Sequence, residues 1–305
     1  MHLIAAATVF YIASEVRFRA CHDHPRQEHG RAMRLVSRNG RVTPGKWGRS
    51  WAVLWLLLAP LTAQADLKPE TKDAYQKYVA ALQARLEAQD HAQGAFLWID
   101  GDAGRRQAVR SGNIVTEQIN SVPVPGGMIQ HWIGGAFLPG ATLARVERVD
   151  QDYAGYAKIY APEISRPKVL AHNGDHFVVS YRITKKNILT AVIDTVHAID
   201  YLPLGPGRLA IRSRSESVRQ VDDAGTGSER VLPEGEGSGL LWAMDSFWRM
   251  QERDGGVYIE CEAITLSRDV PFGMKVLVDP ILRSFGKESL TRTLEAKRRA
   301  VLSGE

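Results

Sequence analysis

The segment FWRMQERDGGVYIECEAITLSRDVP, from Phe247 to Pro271, places Glu260 and Glu262 on either side of Cys261, the chain's only cysteine after Cys21. On an extended strand, side chains two apart share a face at roughly 7 Å. Paired carboxylates at that spacing can divide acid and base work between them. The Cys261 thiolate would be disfavoured by negative charge beside it, which suits a small buried hydrophobe better than a nucleophile. His197 lies in a mostly apolar strand, where it fits either a base beside a cavity or a hydrogen-bonded core residue. His172 and His176 stand four apart, but Asn173-Gly174 between them is a hairpin turn and no third ligand accompanies them. No metal and no cofactor are expected. GEGSG, from Gly235 to Gly239, precedes a strand, lacks a following Gly-Lys-Ser/Thr and puts Ser238 outside a Gly-x-Ser-x-Gly elbow, so neither nucleotide nor serine-hydrolase chemistry has local support.

What the two glutamates can do depends on which way their strand faces. From Leu241 to Arg253 the even positions Trp242, Met244, Ser246, Trp248 and Met250 form the inward face, opposite Asp245, Arg249, Gln251 and Arg253. A two-residue turn at Asp254-Gly255 sets Arg253 opposite Gly256, Arg249 opposite Glu260, Met250 opposite Ile259 and Trp248 opposite Cys261. Both glutamates then lie outside, with Arg249 and Glu260 as a cross-strand ion pair. A three-residue loop through Gly256 would instead carry both carboxylates inward. Consistency of the pattern favours the first register. The same parity puts Phe177, Val179, Tyr181 and Ile183 inside, and aligns Leu209, Ile211, Ser213, Ser215 and Ser217 opposite Arg212, Arg214 and Glu216.

These strands belong to a stretch from Arg166 to Asp269 with a period of two, divided into about six strands by turns at Asn173-Gly174, Lys185-Lys186-Asn187, Gly205-Pro206-Gly207 and Asp254-Gly255. Its polar interruption, DDAGTGSERVLPEGEGSG, reads as a mobile loop that could serve as a lid. Before the meander come an amphipathic helix over Pro69 to Ala92, with Tyr75, Tyr78, Val79, Leu82 and Leu86 on one face, and a strand over Arg110 to Ile119. The loop SVPVPGG follows, then a short helical insert carrying Leu143, Val146, Val149, Tyr153 and Tyr156, with Trp132 near its start. A helix beginning at Pro271 closes the chain, bent or divided by Pro280 and Gly286.

Helix, strand, short helices, long antiparallel meander and final helix occur in this order in the helix-grip fold. The chain resembles the START-like or SRPBCC superfamily over about residues 66–305. The likeness is strongest over GLLWAMDSFWRMQERDGGVYIECEAITLSRDVPFGMKVLVDPILRSFGKESLTRTLEAKRRAV, which resembles exported bacterial members with no assigned activity. The resemblance implies an α+β fold, a curved antiparallel sheet of about seven strands gripping the last helix around an apolar cavity. The superfamily includes lipid-transfer, polyketide cyclase-like and birch-pollen-allergen-like proteins. It has no universal catalytic motif, so no catalytic residue is carried over.

The net charge of +5 and pI near 9.2 invite a nucleic-acid reading, but residues 1–65 hold nine Lys and Arg against three acids, leaving 30 basic and 31 acidic residues beyond them. The excess belongs to a leader: a basic region to Arg49, the apolar core WAVLWLLLAPL and the small-residue site Ala63-Gln64-Ala65. Cleavage is expected after Ala65, and translation from Met33 would give a leader of ordinary length. With residues 66–305 as one domain and Cys261 its lone cysteine, no internal disulfide forms. The expected protein is periplasmic or secreted and carries a hydrophobic small molecule or lipid in a cavity lined by Trp132, Tyr181, Trp242, Trp248, Met250 and Ile259. Transient membrane contact is compatible with that role, and no nucleic-acid partner is expected. The alternative is a cyclase- or hydrolase-like enzyme using Glu260 and Glu262 at the cavity. The oligomeric state is not written in the sequence.

Overall fold

A computed structural model describes residues 66–91, 95–186, 190–269 and 275–303. The leader with Met33 and Ala65 lies outside them, as do Asn187 in the second turn, the Pro271 start of the final helix and the side chains of Ile281, Leu282 and Phe285. The described chain begins with helix α1 (Pro69–His91), whose Tyr75, Val79, Leu82 and Leu86 are buried as the periodicity requires. After a 3₁₀ turn (Trp98–Gly101) comes α2 (Ala103–Arg110), a helix that was not expected and that ends on Arg110, where the expected strand was to start. The reason is local: Asp102 accepts a hydrogen bond from the Arg105 N–H as N-cap, and Ala, Arg and Gln behind it are good helix formers.

Strands β1 (Val115–Val124) and β2 (Gly127–Pro139) form the first hairpin. Pro123 does not end β1, because β1 is a sheet edge where a missing N–H costs no ladder bond. The short helices α3 (Leu143–Gln151) and α4 (Tyr156–Ile159) follow, joined by a 3₁₀ turn at Tyr153–Gly155. Then come β3 (Ile164–Asn173), β4 (His176–Lys186), β5 (Thr190–Pro203), β6 (Arg208–Asp222), the two-residue β7 (Arg230–Val231), β8 (Ala243–Arg253) and β9 (Gly256–Arg268). Helix α5 (Lys275–Ser303) ends the chain and runs as one element past Pro280 and Gly286, where a bend or break was expected. The sheet order is β1-β2-β9-β8-β6-β5-β4-β3, with β7 attached to β6. All pairings are antiparallel. This is an α+β helix-grip arrangement with one long strand more than expected.

The additional strand is β2, whose residues from His131 on had been read as the start of a helical insert. Its side chains are buried on both faces, so it shows a continuous apolar run instead of alternation. Even positions of β2 and odd positions of β9 face α5; the opposite set faces α1. We call these the grip face and the outer face. Gly134 and Gly135 serve one face each. A Cβ at Gly134 would stand 2.9 Å from Leu294 Cδ1 of α5, and one at Gly135 would stand 2.9 Å from Ile99 Cγ2 of the 3₁₀ turn. Each layer approaches the sheet through a missing side chain.

Two cores result. The grip-face core joins Leu138, Ile211, Met250, Ile259, Leu290 and Leu294 among others; the outer-face core joins the α1 stripe to Ile129, Trp242, Phe247, Ile264 and Leu266. Asp254 and Gly255 both have positive φ, 54° and 74°, the conformation of a type I′ turn. The β8/β9 register is the one the alternation favoured: Arg253 with Gly256, Met250 with Ile259, Arg249 with Glu260 and Trp248 with Cys261. The polar 222–239 segment is tied down. Glu229 accepts from Arg182, Arg166 and the Gly225 N–H, and Ser238 donates to Gln220. These ties argue against the expected mobile lid.

Candidate functional site

On the grip face, side chains form rows across the strands. One row runs Phe177, Ile199, Ser213, Ser246, Ala263, Trp132; the next runs Tyr201, Ile211, Trp248, Cys261, Gly134; a third runs Leu209, Met250, Ile259, Ala136. The third row is closed, with Met250 and Ile259 fully buried. Towards the first row burial is less complete: Ser213, Ser246, Ala263, Trp248 and Tyr181 are half-buried. The serine row stops at Ser213, because a bulge between Val196 and His197 shifts the register and turns Ser215 towards Asp245.

His197 stands at the open end, 1% exposed and stacked on Tyr181 with ring centroids 4.8 Å apart. Its Nδ1 lies 3.3 Å from Ser213 Oγ, while its Nε2 and the Trp132 Nε1 are buried with no hydrogen-bond partner among the described residues. Burial pushes its pKa down to about 4, so it is neutral at pH 7. Near Trp248 the face carries charge: Lys297 Nζ is 2.7 Å from Asp150 Oδ1 and 3.3 Å from the centre of the Trp248 ring. Burial raises the Asp150 carboxyl above its ordinary value and Lys297 partly offsets this. Tyr153 and Tyr201 share a hydroxyl contact of 3.0 Å beside this pair. The array can hold an apolar body against aromatic rings and offer it a few buried hydrogen-bonding atoms.

Of the residues expected to line a cavity, Trp132, Tyr181, Trp248, Met250 and Ile259 share this face. Trp242 does not. It precedes β8, donates its N–H to Leu266 O and packs in the outer-face core, because alternation holds only within a strand. Trp132 belongs to the middle of β2 instead of a helical insert. His172 stacks on Phe177 and His176 pairs with Asp200. Among the described residues, no group of three or more His, Cys, Asp and Glu is placed to hold a metal. Cys261 is buried, and burial pushes its thiol up to about 12.

The two glutamates face outward, as the first register requires, yet they are only 3% and 6% exposed because α1 and residues 95–101 cover them. Glu260 accepts the Trp98 and Ile99 N–H groups, both at 2.9 Å. Arg249 does not form the expected surface pair with it. Its guanidinium donates to Leu86 O, Phe96 O, Asp90 and Gln89, tying α1 to the sheet. Burial raises the Glu260 pKa to about 7 against those two donors. For Glu262, burial is outweighed by hydrogen bonds from His131 and Arg85, which hold it below the usual carboxylate range. A pocket of about 540 Å³ opens here between α1, the 3₁₀ turn and the sheet, lined by Tyr78, Arg85, Trp98, His131, Glu260 and Glu262 among others. The carboxylates therefore stand on the opposite face from the grip space. Parity alone could not find this pocket; the readable signal was the α1 stripe, which needed an apolar surface such as Phe247, Ile264 and Leu266.

No family model matches the chain, and no curated relative matches it. Solved structures are similar in fold. A protein of Thermus thermophilus shares 13% identity at TM-score 0.41, covering 57% of this chain and 97% of its own. A STAR-related lipid transfer protein from Xanthomonas axonopodis shares 13% at 0.39, covering 62% and 97%. The Zhui aromatase/cyclase from Streptomyces shares 16% at 0.37, covering 58% and 98%.

Proposed function

We propose that the protein is an exported carrier that holds a hydrophobic small molecule or lipid between its sheet and α5. The supporting observation is His197, a fully buried neutral imidazole with an unpaired Nε2 at the half-buried end of an aromatic face. A buried polar atom without a partner costs about 1–3 kcal/mol, and a ligand hydroxyl there would remove that cost by donating or accepting. The apolar body of the ligand would lie on Trp248, Tyr181 and Ala263, with Trp132, Met250 and Ile259 behind them. Loading from a lipid source would bring the protein briefly to a membrane surface.

The test is native mass spectrometry with solvent extraction of the protein purified from an exporting host. An apolar species is expected to travel with the wild type and to be lost from Ala263→Phe, which fills the half-buried row. A ligand-free wild type, or equal loading of the variant, overturns the carrier reading. N-terminal sequencing of the exported chain is expected to begin at Asp66; an earlier start overturns the cleavage site.

A further inference from the structure

The outer-face pocket contains a hydrogen-bond chain that the carrier reading does not use. Tyr78 Oη of α1 is 2.9 Å from His131 Nδ1, and His131 Nε2 is 2.9 Å from Glu262 Oε2. Arg85 Nη2 reaches the same carboxylate at 2.7 Å and favours its charged form. A charged Glu262 can only accept, so in the neutral form of the imidazole the proton sits on Nε2 and Nδ1 is left as an acceptor. Tyr78 must then donate its own proton to Nδ1, away from the pocket. Tyr78 lines the half-buried pocket wall, and its hydroxyl oxygen keeps acceptor capacity while it donates. Polarisation along the chain from the carboxylate makes that oxygen a better acceptor. The walls beside it are apolar and partly planar: Leu82, Ile133 and Trp98, the last stacked under Arg105 at 3.7 Å.

We propose that this pocket is a second binding site, for a small aromatic alcohol. The ring lies against Trp98, Leu82 and Ile133, and the hydroxyl donates to Tyr78 Oη, extending the Tyr78, His131, Glu262 chain by one link. A phenol suits it because its O–H is a strong donor on a flat apolar body. The volume of about 540 Å³ falls within the range of ligand sites and admits a fused pair of rings. The site is independent of the grip face, which lies across the sheet.

The experiment is a fluorescence titration of the full chain with 2-naphthol and with naphthalene, which lacks the hydroxyl. Wild type is expected to prefer 2-naphthol by about five- to tenfold, the worth of one hydrogen bond. Tyr78→Phe removes one oxygen; it is expected to abolish the preference while leaving naphthalene affinity unchanged. Ile119→Trp, at the exposed pocket mouth, should weaken both probes and supplies the location test if Tyr78→Phe does not fold. Ala263→Phe fills the grip face and removes any probe bound there, so in that background the preference for 2-naphthol should persist. Equal affinity of wild type for the two probes overturns the proposal, as does a preference that survives Tyr78→Phe, disappears in Ala263→Phe or is untouched by Ile119→Trp. Titrations repeated in the Ala263→Phe background read the outer pocket apart from the grip face, so failure of this site and failure of the carrier reading are distinguishable.

Discussion

Strands β8 and β9 send alternate side chains into two interiors that treat polar groups differently. On the outer face Arg249 has four acceptors, Glu260 two backbone donors and Glu262 two side-chain donors. Across the sheet, among the described residues, the grip face carries His197 with one partner and one unpaired nitrogen, and Asp150 with one unpaired oxygen. The outer face has unpaired nitrogens at Trp242 and Arg253, though Glu260, Glu262 and His131 there are all bonded. Saturated polar groups fasten one layer to another; unsaturated ones beside half-buried rings leave room for a guest. The difference separates the part of the molecule that holds α1 in place from the part proposed to receive a ligand.

The largest effect that could break this comparison is at Arg249. Arg249→Met removes the donor shared by α1 and the sheet and leaves the buried Asp90 carboxylate with Arg212 alone, at 4.0 Å. The expected loss is about 3–5 kcal/mol in a urea titration, and a loss below about 1 kcal/mol would show that the outer-face network is not a fastening.

A second contrast is in pH dependence. The folded His197 pKa of about 4 lies below its unfolded value, so its contribution is complete above about pH 6.5 and lost as pH falls towards 4. The folded Glu260 pKa of about 7 lies above its unfolded value; its contribution is complete below about pH 4.5 and lost as pH rises through 7. Each spans at most about 3 kcal/mol. Difference curves of stability against pH for His197→Gln and Glu260→Gln, each relative to wild type, should therefore slope in opposite directions. Parallel curves would contradict the assignment.

The smallest effect sharpens the register itself. Gly255→Ala places a side chain at φ 74° and is expected to cost about 1 kcal/mol, read as a shift in the denaturation midpoint. Since Arg253 still faces Gly256 through the type I′ turn, the 2-naphthol preference should remain. Its loss would mean that a hairpin slip had moved Glu262.

Much of this structure was legible from spacing. The α1 stripe, the six long strands after residue 164 and the inward residues Tyr181, Trp248, Met250 and Ile259 follow from periods of 3.6 and two. The failures have physical causes. In β2, burial on both faces erased alternation and Trp132 was assigned to the wrong element. Trp242 stands one residue before the strand whose parity was extended to it. Pro123 sits at an edge where it breaks nothing. Tyr78, His131 and Arg85 were missed as a group because they come from helix and strand segments 46 to 53 residues apart in sequence, and no local pattern connects either segment to Glu262.

The hairpin register and the face on which Glu260, Cys261 and Glu262 point were determined by the sequence itself, through an Asp-Gly turn and alternating polarity that act between near neighbours along the chain. Whether that outward face met water or protein was decided by tertiary structure. α1 buries its apolar stripe against the sheet, and residues 95–101 follow it down, so two carboxylates suited to a surface acquire backbone donors, an imidazole and a guanidinium. Such partners arise from contacts across more than 150 residues of chain, as between Arg249 and Phe96 or Glu260 and Ile99, and a period of two carries no information about them.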